Sequence, residues 1–234
     1  MATRRRYVKS GTQILPPPSL EPPLISITIV SDIVCPWCFI GKRRLATAIA
    51  LVQQDHPDFQ YQIRWLPFFL NPDTPPEGEP YLPFLENKFG SRARVEALFE
   101  NVRAAGRPYG LDYAFEKIKF RANTLKAHRL LHWAQQRGTV DALVERLFSA
   151  QFQRGEHVGD LDTLSRIAGE CGYPAEEVKT YLASTEDQEI VRQLERQNRQ
   201  RGINMIPTFI LQDSHLIVGA EDPTVLAQGI RQLL

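Results

Sequence analysis

The stretch Ile25-Ser26-Ile27-Thr28-Ile29-Val30-Ser31-Asp32-Ile33-Val34-Cys35-Pro36-Trp37-Cys38 decides the fold. Its first six residues alternate and are rich in β-branched side chains, which predicts a buried strand. Ser31-Asp32 ends that strand, and two cysteines three positions apart follow. From Gly41 to Gln53 the apolar residues Leu45, Ala48, Ile49 and Val52 share one helical face. Pro36 fits the first turn of this helix, where its missing N–H is no loss. His56-Pro57-Asp58 breaks the chain, and Phe59 to Phe69, with Tyr61, Ile63 and Trp65 alternating, predicts a second strand. A strand–helix–strand unit implies parallel strands and a right-handed crossover.

Working outward, Asn71 to Pro83 holds five prolines and suits a boundary. Strand patterns then stop for over a hundred residues. Helical patterns run at about 84–106, 122–137, 139–154, 160–171 and 174–201. Asn123, Thr139 and Asp160 fit as N-caps, Gly138 and Gly172 as stops, and Gly202 closes the last helix. Strand character returns at Thr208–Leu211 and Leu216–Val218, on either side of a turn at Asp213-Ser214. Pro223 opens a final helix. The order βαβ, helical block, ββα predicts an α/β fold.

The chain has 234 residues, 43% hydrophobic and 24% charged, the balance of an ordinary globular protein with a proper core. A net charge of +1 gives no electrostatic reason to expect nucleic acid or a membrane surface as partner. No apolar run approaches the roughly 20 residues of a membrane span. Residues 1–24 are basic and proline-rich. With no apolar segment, and with Pro16-Pro17-Pro18 interrupting any helix, they read as a disordered tail rather than a secretory signal or transit peptide. A cytoplasmic protein is expected on that basis.

Three cysteines are too few for a disulfide scaffold, and Cys171 is far from the other two. Cys35-Pro36-Trp37-Cys38 therefore reads as a site. A helix N-terminus carries partial positive charge and free N–H groups, which favour thiolate over thiol. The thiolate is the form that attacks a disulfide, and Cys38, one turn on, lies in reach to resolve the mixed disulfide. Zinc needs about four ligands and this motif supplies two, so no metal is expected. A purely structural pair is the other alternative; the strand-then-helix setting favours redox chemistry over both.

Pro207 directly precedes an apolar strand. It reads either as a cis proline that exposes neighbouring backbone to an extended substrate, or as an ordinary trans proline at a strand start.

Taken together, these residues resemble the DsbA-like thioredoxin superfamily, and most closely its FrnE-like branch. The resemblance is carried by Ser31 to Lys42, Trp65-Leu66-Pro67-Phe68, Asn71-Pro72, Asn123-Thr124, Ala127-His128-Arg129-Leu130, Ile206-Pro207-Thr208-Phe209 and Gly219-Ala220. It implies a thioredoxin fold with an all-helical domain inserted between the second and third strands. The domains would be 25–70 plus 202–234 for the thioredoxin part and 71–201 for the insertion. It also implies that Pro207 is cis and lies against the Cys35 sulfur. The related kappa-class glutathione transferases and 2-hydroxychromene-2-carboxylate isomerases have a serine for the first cysteine. This chain keeps both cysteines, which favours dithiol chemistry.

The sequence thus points to a thiol–disulfide oxidoreductase. Cys35 attacks, Cys38 resolves, Pro207 shapes the substrate face, and Pro36, Trp37 and Ile206 flank it. Protein or small-molecule dithiols are the expected substrates. No tightly bound cofactor is implied, and glutathione fits as a co-substrate. A glutathione-dependent transferase or isomerase on the same fold is the alternative, and a chaperone-like binding module built on the helical block is a third reading. His128 reads either as a ligand contact across the cleft from Cys35 or as a packing residue of the helical block. Asn123 and Thr124 read as caps, Trp65 and Phe68 as core, and Cys171 as a small buried residue. Lys42, Arg43 and Arg44 either raise the potential near Cys35 or form a solvated helix face.

Overall fold

The β-branched run after Leu24 forms strand β1 (Leu24–Ser31), and the helix predicted behind it is α1 (Pro36–Asp55). Strand β2 (Gln60–Pro67) returns parallel to β1, with Ile27 opposite Ile63 and Ile29 opposite Trp65. The chain, described over residues 24–234 in a computed structural model, completes its sheet only near the C-terminus. There β5 (Thr208–Leu211) and β6 (His215–Val218) form the expected hairpin, followed by helix α9 (Pro223–Arg231). Strand β5 lies antiparallel to β1, so the sheet order is β2-β1-β5-β6. The expected tail at 1–24 lies outside the described residues except for Leu24, which opens β1 opposite Gln60.

Alternation along β1 sorts the core. Ile25, Ile27 and Ile29 join Leu45, Ala48, Ile49 and Val52 of α1 in the main cluster, with Leu226 and Ile230 of α9. Val30 instead joins Phe68, Ile203 and Ile210 in a smaller cluster on the other face.

Between β2 and β5 the chain is helical. It runs through α2 (Tyr81–Phe89), α3 (Arg92–Gly106), α4 (Leu125–Gln135), α5 (Asp141–Ser149), α6 (Leu161–Glu170), α7 (Ala175–Ala183) and α8 (Gln188–Gln200). One exception is a two-residue antiparallel pair, β3 (Glu79–Pro80) with β4 (Phe120–Arg121). Two of the long helices read from the pattern are each two helices. The first breaks where Ser91 caps α3, its hydroxyl accepting from Arg94 N–H at 3.3 Å. The second breaks at 184–187, where Asp187 takes a left-handed φ of 57°. Asp160 caps α6 as expected, accepting from Thr163 N–H at 2.8 Å. Thr139 does not cap α5, which starts after Val140. At the start of α4, Asn123 Oδ1 accepts from Leu125 N–H at 3.1 Å, while Thr124, in the cap position, makes no such bond.

The block is locked to the sheet through polar side chains. Gln135 occupies the free edge of β2: its amide accepts from Trp65 N–H at 2.7 Å and donates to Trp65 C=O at 3.1 Å. This blunts an otherwise unpaired edge. Buried Asn198 on α8 donates to Pro67 C=O at 2.9 Å. Buried Arg129 donates to the carbonyls of Tyr181, Leu182 and Glu186, holding α4 against the end of α7.

Candidate active site

Cys35 sits at the N-cap of α1 with extended backbone (φ −97°, ψ 110°), and Pro36 follows in the first turn. A tight turn precedes it: Cys35 N–H donates to Asp32 C=O at 3.0 Å, and Cys38 N–H to Cys35 C=O at 3.1 Å. Both thiols are free. Cys35 is 4% exposed and Cys38 1%, so the second cysteine lies behind the first. Burial pushes the Cys38 thiol well above its ordinary pKa; neighbouring Cys35 adds to this, and the Ser31 side chain and the Asp32 backbone pull partly back.

The loop before β5 closes the site from the other side. The Ile206–Pro207 peptide is cis, the alternative that the residues alone leave open. Cys35 Sγ lies 3.9 Å from Ile206 C=O, within reach of a weak S–H donor. Pro207 is buried against α1 at Gly41. A Cβ at Gly41 would stand 2.8 Å from Pro207 Cγ and 3.2 Å from Phe209 Cζ, so only glycine lets helix and proline loop approach this closely. Trp37, 40% exposed, is the open rim of the site. Cys35, Pro36, Trp37, Cys38, Ile206 and Pro207 are thus brought together from two distant parts of the sequence.

His128 takes another place. It is buried, with Nε2 3.2 Å from Asp32 Oδ1 and its ring edge-on to Phe69. These are the contacts of a packing residue. It also borders a groove of about 1280 Å³ along β2, whose lining includes neither cysteine. The basic run after Cys38 is engaged in ion pairs and a backbone contact rather than left as a free solvated face. Lys42 Nζ bonds Asp141 at 2.9 Å and Glu145 at 3.0 Å, Arg43 bonds Glu145, and Arg44 bonds Ala220 C=O at 2.5 Å. They tie α1 to α5 and to the loop after β6. Cys171 is half-buried at the end of α6 rather than fully buried. Among the described residues, no group of three or more His, Cys, Asp or Glu is placed to hold a metal ion. None of the described helices is long and apolar enough to cross a membrane.

Two residues at the site escape the sequence reading. Tyr113, from the helical block, donates its hydroxyl to Pro36 C=O at 2.8 Å and sets its ring edge-on to Phe39. Burial, then the nearby cysteines, push its phenol far above its usual range. Gly106 makes room for that ring, since a Cβ there would stand 2.6 Å from Tyr113 Cε2. Asp32 is the other, and its signal was present: an acid between an apolar strand and a buried turn needs partners. It finds them in His128 and in Leu70 N–H, which donates to Oδ2 at 2.8 Å.

A family model for the DSBA-like thioredoxin domain matches residues 26–231. The chain belongs to the DSBA-like thioredoxin family. The chain is 27% identical over 207 residues to YwbO, an uncharacterised protein of Bacillus subtilis (strain 168), covering 88% of this chain and 96% of that one. A probable DsbA oxidoreductase from Streptomyces coelicolor superposes with a TM-score of 0.81 at 31% identity, covering 89% of each chain. The cytosolic disulfide reductase DsbM from Pseudomonas aeruginosa, in a structure with GSH, shares the fold at a TM-score of 0.59 and 15% identity, with 89% of this chain and 98% of that one covered.

Proposed function

We propose that the protein is a thiol–disulfide oxidoreductase that exchanges a Cys35–Cys38 dithiol with protein or small-molecule disulfides. One observation carries the reading. Cys35 stands at the helix N-cap against the Ile206 carbonyl, with Cys38 buried one turn behind it. A helix N-terminus stabilises a thiolate, which makes Cys35 the attacking group. Cys38, held neutral by burial, is a poor nucleophile toward solvent and is suited to attack only when a mixed disulfide forms on Cys35. Pro207 and Ile206 form the wall against which the substrate sulfur lies, with Trp37 and Pro36 at the rim. Glutathione is a fitting co-substrate, as DsbM, a cytosolic reductase, has been seen with GSH. We propose the cytoplasm as the compartment on the same likeness. The test is an equilibrium titration in glutathione redox buffers, with free thiols trapped and the intact chain weighed. A reversible loss of two hydrogens at Cys35 and Cys38 supports the reading, and the midpoint assigns its direction. A stable glutathione adduct on Cys35, or no disulfide at any poise, overturns it in favour of a glutathione-dependent transferase or isomerase.

A further inference from the structure

Ile25, Ile27 and Ile29 of β1 point under α1, whereas Val30 faces the opposite cluster. The two-residue period of the strand therefore turns Ser31 toward α1 as well, at the level of its first turn. Cys38 lies there. Ser31 is 3% exposed, and its Oγ is fully buried without a hydrogen-bond partner. A buried hydroxyl with no partner at hydrogen-bond geometry calls for an explanation, and a role beside a reactive group is one.

We propose that Ser31 serves the resolving step: its hydroxyl donates a hydrogen bond to the Cys38 sulfur as that thiol gives up its proton. The inference rests on the dithiol reading above. A hydroxyl rotates freely, so it needs no rearrangement to meet a new charge. Its nearness already favours the charged form of Cys38 against the effect of burial, together with the Asp32 backbone. The other titratable groups facing Cys38 are Cys35 and the Tyr113 phenol. The Asp32 carboxylate is already engaged by His128 and Leu70 N–H.

In the step itself, the substrate is joined to Cys35 as a mixed disulfide. Cys38 loses its proton to water, and its sulfur attacks Cys35 Sγ. The Cys35–Cys38 bond forms while the Cys35–substrate bond breaks, and the departing substrate thiolate takes up a proton. With the first attack included, two electrons pass from the dithiol to the substrate disulfide. Ser31 acts only while negative charge sits on Cys38.

The experiment uses the reduced protein carrying Cys171→Ser, mixed with an equimolar aromatic disulfide whose released thiolate absorbs light. The first release reports attack by Cys35 and the second reports resolution by Cys38. Ser31→Ala is expected to leave the first release unchanged. It should slow the second about tenfold and raise its pH midpoint by about one unit, as loss of one stabilising donor requires. Ser31→Thr, which keeps the hydroxyl, should resolve at nearly the parent rate. The proposal is overturned if Ser31→Ala resolves at the parent rate with the parent midpoint. It is equally overturned if Ser31→Thr is as slow as Ser31→Ala, which would make the effect one of packing. Absence of any second release from the parent protein is a distinct outcome that overturns the dithiol reading and this inference together.

Discussion

His128 Nε2 lies 3.2 Å from Asp32 Oδ1, and both side chains are buried. The pair connects three segments. Asp32 C=O holds the turn of Cys35, Asp32 Oδ2 holds Leu70 after β2, and His128 belongs to α4 in the helical block. The turn at Cys35 is therefore braced by the helical block and not by the sheet alone.

Asp32→Ala removes both acceptors and leaves Leu70 N–H and the His128 ring unpaired in a buried place. A cost of about 3 kcal/mol is expected, in line with breaking a buried polar pair. Asp32→Asn keeps an acceptor for Leu70 and should cost about 1 kcal/mol. Urea unfolding of the two variants measures this. If Asp32→Ala loses no more than Asp32→Asn, the brace does not contribute to stability.

Cys38 gives a pH dependence with a definite sign. Burial raises its pKa in the folded protein, while an unfolded chain ionises it near the ordinary value of 9.0. A raised folded pKa contributes stability that is complete below the unfolded value and is lost as pH rises beyond it. The reduced protein should thus weaken above about pH 9, by at most about 1.4 kcal/mol per pH unit for this one proton. Cys38→Ser should lack that component. Cys171, also raised by burial, is present in both proteins and cancels from the comparison. Parallel unfolding curves for the two reduced proteins from neutral to alkaline pH would contradict the assignment.

Local patterns carried much of this structure. The β-branched run, the apolar face of α1 and the closing hairpin are short-range signals, and each element formed where the sequence placed it. The breaks inside the long helical stretches are harder to read: the first falls at Ser91, between two apolar faces close in phase, and the second in the polar run Ser184 to Glu189, which holds neither glycine nor proline. The isomer of Ile206–Pro207 was open in the residues alone, since both forms fit the same local sequence. Lys42, Arg43 and Arg44 looked like a solvated face because their partners, Asp141, Glu145 and Ala220, lie about a hundred residues away or more. Tyr113 was silent for the same reason. It lies in an aperiodic segment and meets Pro36 across 77 positions of sequence.

Gly41 tests the contact between α1 and the proline loop. In an open helix, Gly→Ala is stabilising by about 1 kcal/mol. Here the added methyl would stand 2.8 Å from Pro207 Cγ, inside contact distance. Gly41→Ala is expected to destabilise by about 1–3 kcal/mol, the range for overpacking. It should also slow modification of Cys35, whose sulfur lies against the same loop. Thermal unfolding and the rate of iodoacetamide labelling at Cys35 check both. A variant that melts higher than the parent, with labelling unchanged, would show that the loop yields at no cost.

Tyr113 makes the last case, because its hydroxyl and its ring do separate things. The hydroxyl donates to Pro36 C=O, in the first turn of α1, while the ring packs on Phe39 and stacks on Phe115. Tyr113→Phe keeps the ring and leaves the carbonyl without this donor, so a loss of about 1 kcal/mol is expected. Tyr113→Ala removes the ring too and should cost about 3–5 kcal/mol, as a cavity between the helical block and α1 demands. If Tyr113 also fixes the turn at Cys35, the Phe variant should change the reduction potential of the Cys35–Cys38 pair while its fold persists. The glutathione titration reads that potential directly, and circular dichroism reads the fold. A Phe variant that loses stability yet keeps the parent midpoint would confine the hydroxyl to holding the helical block in place. A shifted midpoint would make a residue of the helical block part of what sets the redox poise of the cysteines.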